Sequence, residues 1–290
     1  MSKPCCGALA NELQANFAAA RIDLQKVLQI SPDNAMATAG LDRLDVKGAV
    51  NNSASTSNRT DRVALVIGNS RYGALNKLQN TENDAKLLAA TLKSPGFNSV
   101  RIVLDGKRDD IVAALKALAS DAATADWAMV YYAGHGLELN GSNYLAPVDV
   151  RYETDEDIPK ESISLDLVLA AIGDAKSLRL VVLDTCRENP FAENIRKTAG
   201  MTSVGSGLAR IEPEAGTLVA FATKHGDIAV DGTGGDSPFA IALTNRMKTP
   251  GLEINQILRL VHDDVYAATD KKQEPFTYGQ LSARALYFRQ

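Results

Sequence analysis

The chain has few of the residues that most readily announce a function. Its 3 cysteines among 290 residues are Cys5 and Cys6, side by side, and Cys186, alone in the body of the chain. Adjacent cysteines make a poor disulfide framework, so the usage is that of a reducing compartment. There is no CxxC, no HxxxH and no other Cys or His at ligand spacing, which argues against a metal site. No run approaches the ~20 apolar residues that a membrane span needs, and the opening MSKPCCGALANELQ has no apolar stretch of signal-peptide length. An acyl chain on Cys5 or Cys6 would lack the second membrane signal that stable anchoring requires. The expected location is therefore the cytoplasm. The net charge of −4 leaves no general basic surface for nucleic acid and mildly favours a partner carrying Lys or Arg. After the first apolar strand, VIGNSRYGALN has two glycines but neither GxGxxG nor a Walker lysine, so a nucleotide-binding reading fails. No cofactor is expected.

What is present is enough apolar sequence for a normal core, 45% of residues. Residues 1–47 read as a helical segment. Apolar residues at helical spacing are broken at Ser31-Pro32-Asp33-Asn34, where a turn and a new N-cap fit. The pair resembles adjoining helices of two tetratricopeptide repeats. Such arrays usually need at least ~3 repeats to bury their faces, so the segment is expected to be either a remnant or a helical hairpin that docks on something, recruiting a partner protein or restraining the rest. Residues 48–60, small and polar, read as a linker. From residue 61 to 290 strands alternate with helices. Strands are expected at 62–68, 98–105, 126–136, 178–184 and 216–223, and helices at 81–94, 108–122, 164–175, 237–248 and 253–269. This is an α/β pattern, a mostly parallel central sheet with helices on both faces.

In such sheets function gathers at the carboxyl ends of the strands. One strand delivers Gly134-His135-Gly136 and another Asp184-Thr185-Cys186-Arg187. A thiolate is the nucleophile that a thiol is not, and an imidazole can take the thiol proton and return it to a leaving amine. Glycines beside His135 would let the backbone turn tightly, and the amides of Gly136 and Cys186 would serve an oxyanion. Alone, a cysteine at a strand end is a small apolar residue and a histidine a hydrogen-bonded structural one. His225 and His262 read in that plain way. The pairing of His135 with Cys186 is what points to catalysis, and Arg187 has no role to assign.

YYAGHG followed by LVVLDTCRENPF resembles the caspase-like cysteine peptidases of clan CD, in the bacterial branch near metacaspases and paracaspases, over about 62–290. The resemblance implies a three-layer caspase-like fold, a large-subunit region at about 61–192, an intersubunit loop at 193–215 and a small-subunit region at 216–290. It implies a Cys186/His135 dyad. It also implies a substrate pocket: Asp184 stands where metacaspases and paracaspases carry an acid that pairs with a substrate Arg or Lys, and Asp84 matches a second pocket acid of metacaspases. In register with the caspase small subunit, Asp231 replaces the arginine that grips substrate aspartate, with Asp227 a weaker candidate. Carboxylates facing a guanidinium make short charge-assisted bonds, so such a pocket prefers Arg, with Lys next. Read without the family, Asp84 is also a helix-capping acid and Asp231 a turn acid.

The Gly- and Ser-rich loop 193–215 carries Arg196, Lys197 and Arg210, which an enzyme cutting after basic residues could cut in itself. Many metacaspases need calcium. The acidic run ETDEDIPKE lacks an EF-hand pattern and reads as a solvated loop, so calcium is assigned to no residue. The expectation is a cysteine endopeptidase acting on protein after Arg or Lys, with self-cleavage at Arg196, Lys197 or Arg210 set against their plain reading as basic residues of a solvated loop. The rival is a caspase-like scaffold without turnover, against which both His135 and Cys186 speak.

Overall fold

The computed structural model describes residues 60–93, 96–186, 204–205, 208–223 and 234–289, with 26–28, 37 and 41 in the amino-terminal part. By compactness the chain divides into Met1–Arg59 and Thr60–Gln290. In the first unit the described residues are helical, and Val27 and Ala37 are buried. The SPDNA turn lies outside the described residues.

In the second unit the expected alternation is present. The strands are β1 (Arg62–Gly68), β2 (Ser99–Leu104), β3 (Trp127–Leu139), β4 (Ser142–Leu145), β5 (Ile163–Ser164), β6 (Leu178–Cys186), β7 (Val204–Gly205), β8 (Thr217–Phe221) and β9 (Phe276–Gln280). The helices are α1 (Thr81–Lys93), α2 (Arg108–Ala122), the short α3 (Ile158–Glu161), α4 (Leu165–Ile172), α5 (Pro238–Met247) and α6 (Ile254–Ala268). The main sheet runs β2-β1-β3-β6-β8-β9, parallel except for β9, which pairs antiparallel with β8. None of the helices among the described residues is long and apolar enough to cross a membrane.

The period of two in each strand sorts its side chains between two cores. Ala64, Val66, Trp127, Met129, Tyr131, Leu180 and Val182 join α1, α5 and α6 on one face. Val63, Leu65, Ile67, Val130, Tyr132, Val181 and Leu183 join α2 and α4 on the other. Burial on both faces explains why β1, β3 and β6 read as continuous apolar runs. Leu88 of α1 is fully buried in the first core, and truncating such a leucine to alanine costs about 2–5 kcal/mol. The first core also sets where α1 begins. A Cβ on Gly68 would stand 2.6 Å from Thr81 O and 2.7 Å from Ala85 Cβ, so glycine lets the helix start close over the end of β1.

Three differences from the sequence reading matter for the site. First, β3 does not turn at Gly134-His135-Gly136 but continues to Leu139. Neither glycine has a positive φ. A Cβ on Gly136 would press on Thr185 and Leu208 at 3.1–3.3 Å, so the glycines permit close packing rather than a turn. Second, the segment expected to be an exposed loop includes β7, which pairs with Glu138 and Leu139 of the β3 extension. Leu208 is buried, and Asn143 of β4 accepts from Ala209 N and donates to Ala209 O. Third, the acidic run 153–161 is not simply solvated. Asp155 is buried, Asp157 caps Thr154, and Glu161 accepts the amides of Arg151 and Tyr152, the latter at φ 44°. Its carboxylates satisfy backbone N–H groups that the turn would otherwise leave unpaired.

Candidate active site

The carboxyl end of β6 lies beside residues 133–135 of β3. In the parallel ladder Ala133 is level with Asp184, Gly134 with Thr185, and His135 with Cys186. Strand β6 reaches Cys186, two residues beyond its expected end, so the cysteine belongs to the ladder itself rather than to a loop after it. His135 and Cys186 are thus register partners, with Asp184 two residues back on β6.

His135 is buried and held by contacts from the β1–α1 loop. Its Nε2 lies 2.8 Å from Asn76 O. A carbonyl only accepts, so Nε2 donates, and in the neutral ring Nδ1 is then the basic nitrogen. Its backbone N–H donates to the Tyr72 hydroxyl at 2.9 Å, and the Tyr72 ring lies 4.6 Å from the imidazole. That loop is fastened in turn by Asp105 at φ 49°, whose carboxylate accepts the amides of Ser70 and Arg71 and the Arg71 guanidinium. Burial pushes the Asp105 carboxyl up, but those hydrogen bonds outweigh it and hold it below the usual range.

The second feature is a buried carboxyl pair. Asp84 comes from the first turn of α1 and Asp184 from β6, and they are 2% and 8% exposed. Ser237 joins them: its amide donates to Asp84 Oδ1 and its hydroxyl to Asp184 Oδ2, each at 2.7 Å. The Tyr131 hydroxyl donates to the same Asp184 oxygen at 3.0 Å. Ser237 is also the N-cap of α5, accepting from Ala240 N. Desolvation, and then the charge of Asp184, push the Asp84 carboxyl up to about 8. Burial and the two acids likewise hold the Tyr131 phenol well above its ordinary value, so it stays a donor. Among the described residues, Asp184 and Asp236 both bear on Asp84 with negative charge.

Asp84 and Asp184 are therefore brought together, and His135 stands beside Cys186 in the ladder. Gly136 pairs with Leu145 of β4. Arg210 is exposed, directly after the docked Leu208 and Ala209. Asp231, Asp227, Arg187, Arg196, Lys197 and His225 lie outside the described residues. His262 is remote from these groups, pairing with Asp263 and stacking on Tyr266. Sequence reasoning missed Ser237, Tyr131, Tyr72 and Asn76. For Ser237 a signal existed, since Ser-Pro before an apolar helix is an N-cap. The loop residues had none, because their partners are distant in sequence.

An α/β sheet with a His/Cys pair across two parallel strands defines a class, and comparison with known proteins assigns it. Residues 61–287 match the Caspase domain family, Peptidase C14. The chain belongs to that family, which is one of cysteine peptidases. The paracaspase of Dictyostelium discoideum is 28% identical over 181 residues, 60% of this chain and 40% of the relative. The chain thus spans about two fifths of the length of that curated relative. Among solved structures, that of pro-sf-caspase-1 superposes with a TM-score of 0.58 at 20% identity, covering 80% of this chain and 91% of that one. This likeness fixes the fold as caspase-like: a mixed, mostly parallel sheet with helices on both faces.

Proposed function

We propose that the protein is an endopeptidase that hydrolyses the bond after Arg, and after Lys less well, through a Cys186/His135 dyad. The observation that carries the specificity is the buried Asp84–Asp184 pair, with Asp184 two residues before the nucleophile position. A basic side chain entering there relieves the repulsion between the two acids. Asp231 completes the pocket in this reading.

In the reaction His135 Nδ1 takes the Cys186 thiol proton and the thiolate attacks the scissile carbonyl carbon, pushing its electrons onto oxygen. The Gly136 and Cys186 amides stabilise that oxyanion. Collapse breaks the C–N bond, and the imidazolium gives its proton to the leaving amine. Water, deprotonated by His135, then releases the acyl group and restores the thiol. Asn76 O keeps the ring in the tautomer with its lone pair on Nδ1. Arg196, Lys197 and Arg210 are candidate self-cleavage sites under the same specificity, and the amino-terminal helices are a candidate docking element for a partner protein.

Matched fluorogenic peptides with Arg, Lys, Asp or Ala before the scissile bond test this, with and without calcium and against Cys186→Ala. The expected result is turnover of the Arg peptide, weaker turnover of Lys, and none in Cys186→Ala. Preference for Asp would leave the dyad and sink the acidic pocket. Silence toward every peptide would favour a scaffold.

A further inference from the structure

Tyr72 is buried, 3% exposed, in the loop between β1 and α1, and the reaction above makes no use of it. Its hydroxyl accepts the His135 N–H at 2.9 Å and lies 3.3 Å from the Tyr132 hydroxyl. The Tyr132 hydroxyl is 2.8 Å from His135 O. Both phenols also reach Ala146 O, at 3.3 Å and 2.9 Å. A phenol has one hydrogen to give and accepts through its oxygen. Burial, then the neighbouring Tyr72, push the Tyr132 phenol well above its ordinary value, so it keeps that hydrogen.

One arrangement of hydrogens closes a ring: His135 N–H to Tyr72, Tyr72 O–H to Tyr132, and Tyr132 O–H to His135 O. Two phenols then connect the amide and the carbonyl of one residue, on either side of its Cα. A Cβ on residue 134 would stand 2.7 Å from the Tyr72 oxygen and 2.5 Å from that of Tyr132, so Gly134 is what admits the pair. The Tyr72 ring, tilted by 54° with its centroid 4.6 Å from that of the imidazole, packs against it.

We propose that Tyr72 is the positioning residue of His135, its hydroxyl fixing the backbone from which the imidazole hangs and its ring fixing the imidazole plane. The proposal rests on His135 being the proton carrier. Misplacement of a catalytic group by about 1 Å can cost around a hundredfold in rate, so a device acting on both backbone and ring serves turnover rather than substrate affinity.

The test compares full-length wild type, Tyr72→Phe, Tyr72→Leu and His135→Ala in kcat and KM on an Arg peptide, with thermal melts. Alkylation of Cys186 by iodoacetamide at pH 7 reads the dyad without any substrate. Tyr72→Phe keeps the ring and loses the hydroxyl: kcat should fall about tenfold with KM within about twofold, and alkylation should slow. Tyr72→Leu, losing both contacts, should fall about a hundredfold. If His135→Ala is inactive while Tyr72→Phe keeps wild-type kcat and alkylation rate, the dyad stands and the positioning role is overturned. A Tyr72→Phe effect confined to KM or to the melt overturns it as well. Wild-type turnover and alkylation in His135→Ala would remove the dyad and the proposal together.

Discussion

Asp84 sits in the first turn of α1, where the helix dipole favours a carboxylate, yet its surroundings push the other way. Desolvation and the charge of Asp184 raise it to about 8, so at neutral pH it is mostly protonated. Under the proposed specificity, a substrate guanidinium would favour the ionised form and gain its full attraction only on release of that proton. KM for an Arg peptide should therefore fall as pH rises from about 6.5 to 8.5, by roughly an order of magnitude. Asp84→Asn, which has no proton to release, should give a higher and nearly flat KM over that range. A wild-type KM independent of pH would show that Asp84 is already charged or takes no part in the pocket. Sequence made the acids themselves legible, through Asp184 beside Cys186 and Asp84 in its helix. It could not supply the environment that sets their charge. Tyr131 lies 53 positions before Asp184, and Ser237 lies 153 after Asp84, so no local period links them.

At the scale of elements, the runs RVALVIG, WAMVYYAGHG and LRLVVLD were readable because strands buried on both faces have a plain composition. The helices α1, α2, α5 and α6 were readable from caps and period. The short antiparallel pieces were not: β4, β5 and β7 have two to four residues, too few to show a period, and β9 (FTYGQ) contains a Gly at φ 110°. These pieces nonetheless turn an expected loop into a docked strap over the extension of β3. The strap depends on Asn143, whose amide makes two hydrogen bonds to the backbone of Ala209. Asn143→Ala should free the chain before the exposed Arg210 and leave buried backbone groups unsatisfied. Trypsin under native conditions should then cut after Arg210 several-fold faster than in wild type, as read by mass spectrometry. Equal rates would mean that the strap is held elsewhere.

Across the Thr60–Gln290 unit, two apolar cores clamp the main sheet, and the candidate site lies at the carboxyl edge of that sheet, where the loop after β1 packs on β3. Asn69 exemplifies the ties at that edge: its side chain donates to Ala146 O and accepts from Gly106 N, and its carbonyl accepts from Thr81. Holding a buried carboxyl pair in that edge has a cost that depends on pH. Asp84 is raised from an ordinary 3.8 to about 8 on folding, so between those values the folded state binds more protons than the unfolded chain. Stability from this group is complete below about pH 4 and is lost as pH climbs toward and through 8. Melting temperatures of wild type and Asp84→Asn, measured from pH 3.5 to 8.5, should lie closest together at the acid end, where the aspartic acid is neutral like asparagine in the folded and largely in the unfolded chain. They should separate toward pH 8.5, with wild type falling further. An uncleavable Arg peptide analogue should narrow that gap by placing a cation against the pair, raising the wild-type melting temperature more at pH 8 than at pH 6. Parallel curves for the two proteins across the range would show that Asp84 does not carry the proton, and that the folded pocket already contains a compensating charge.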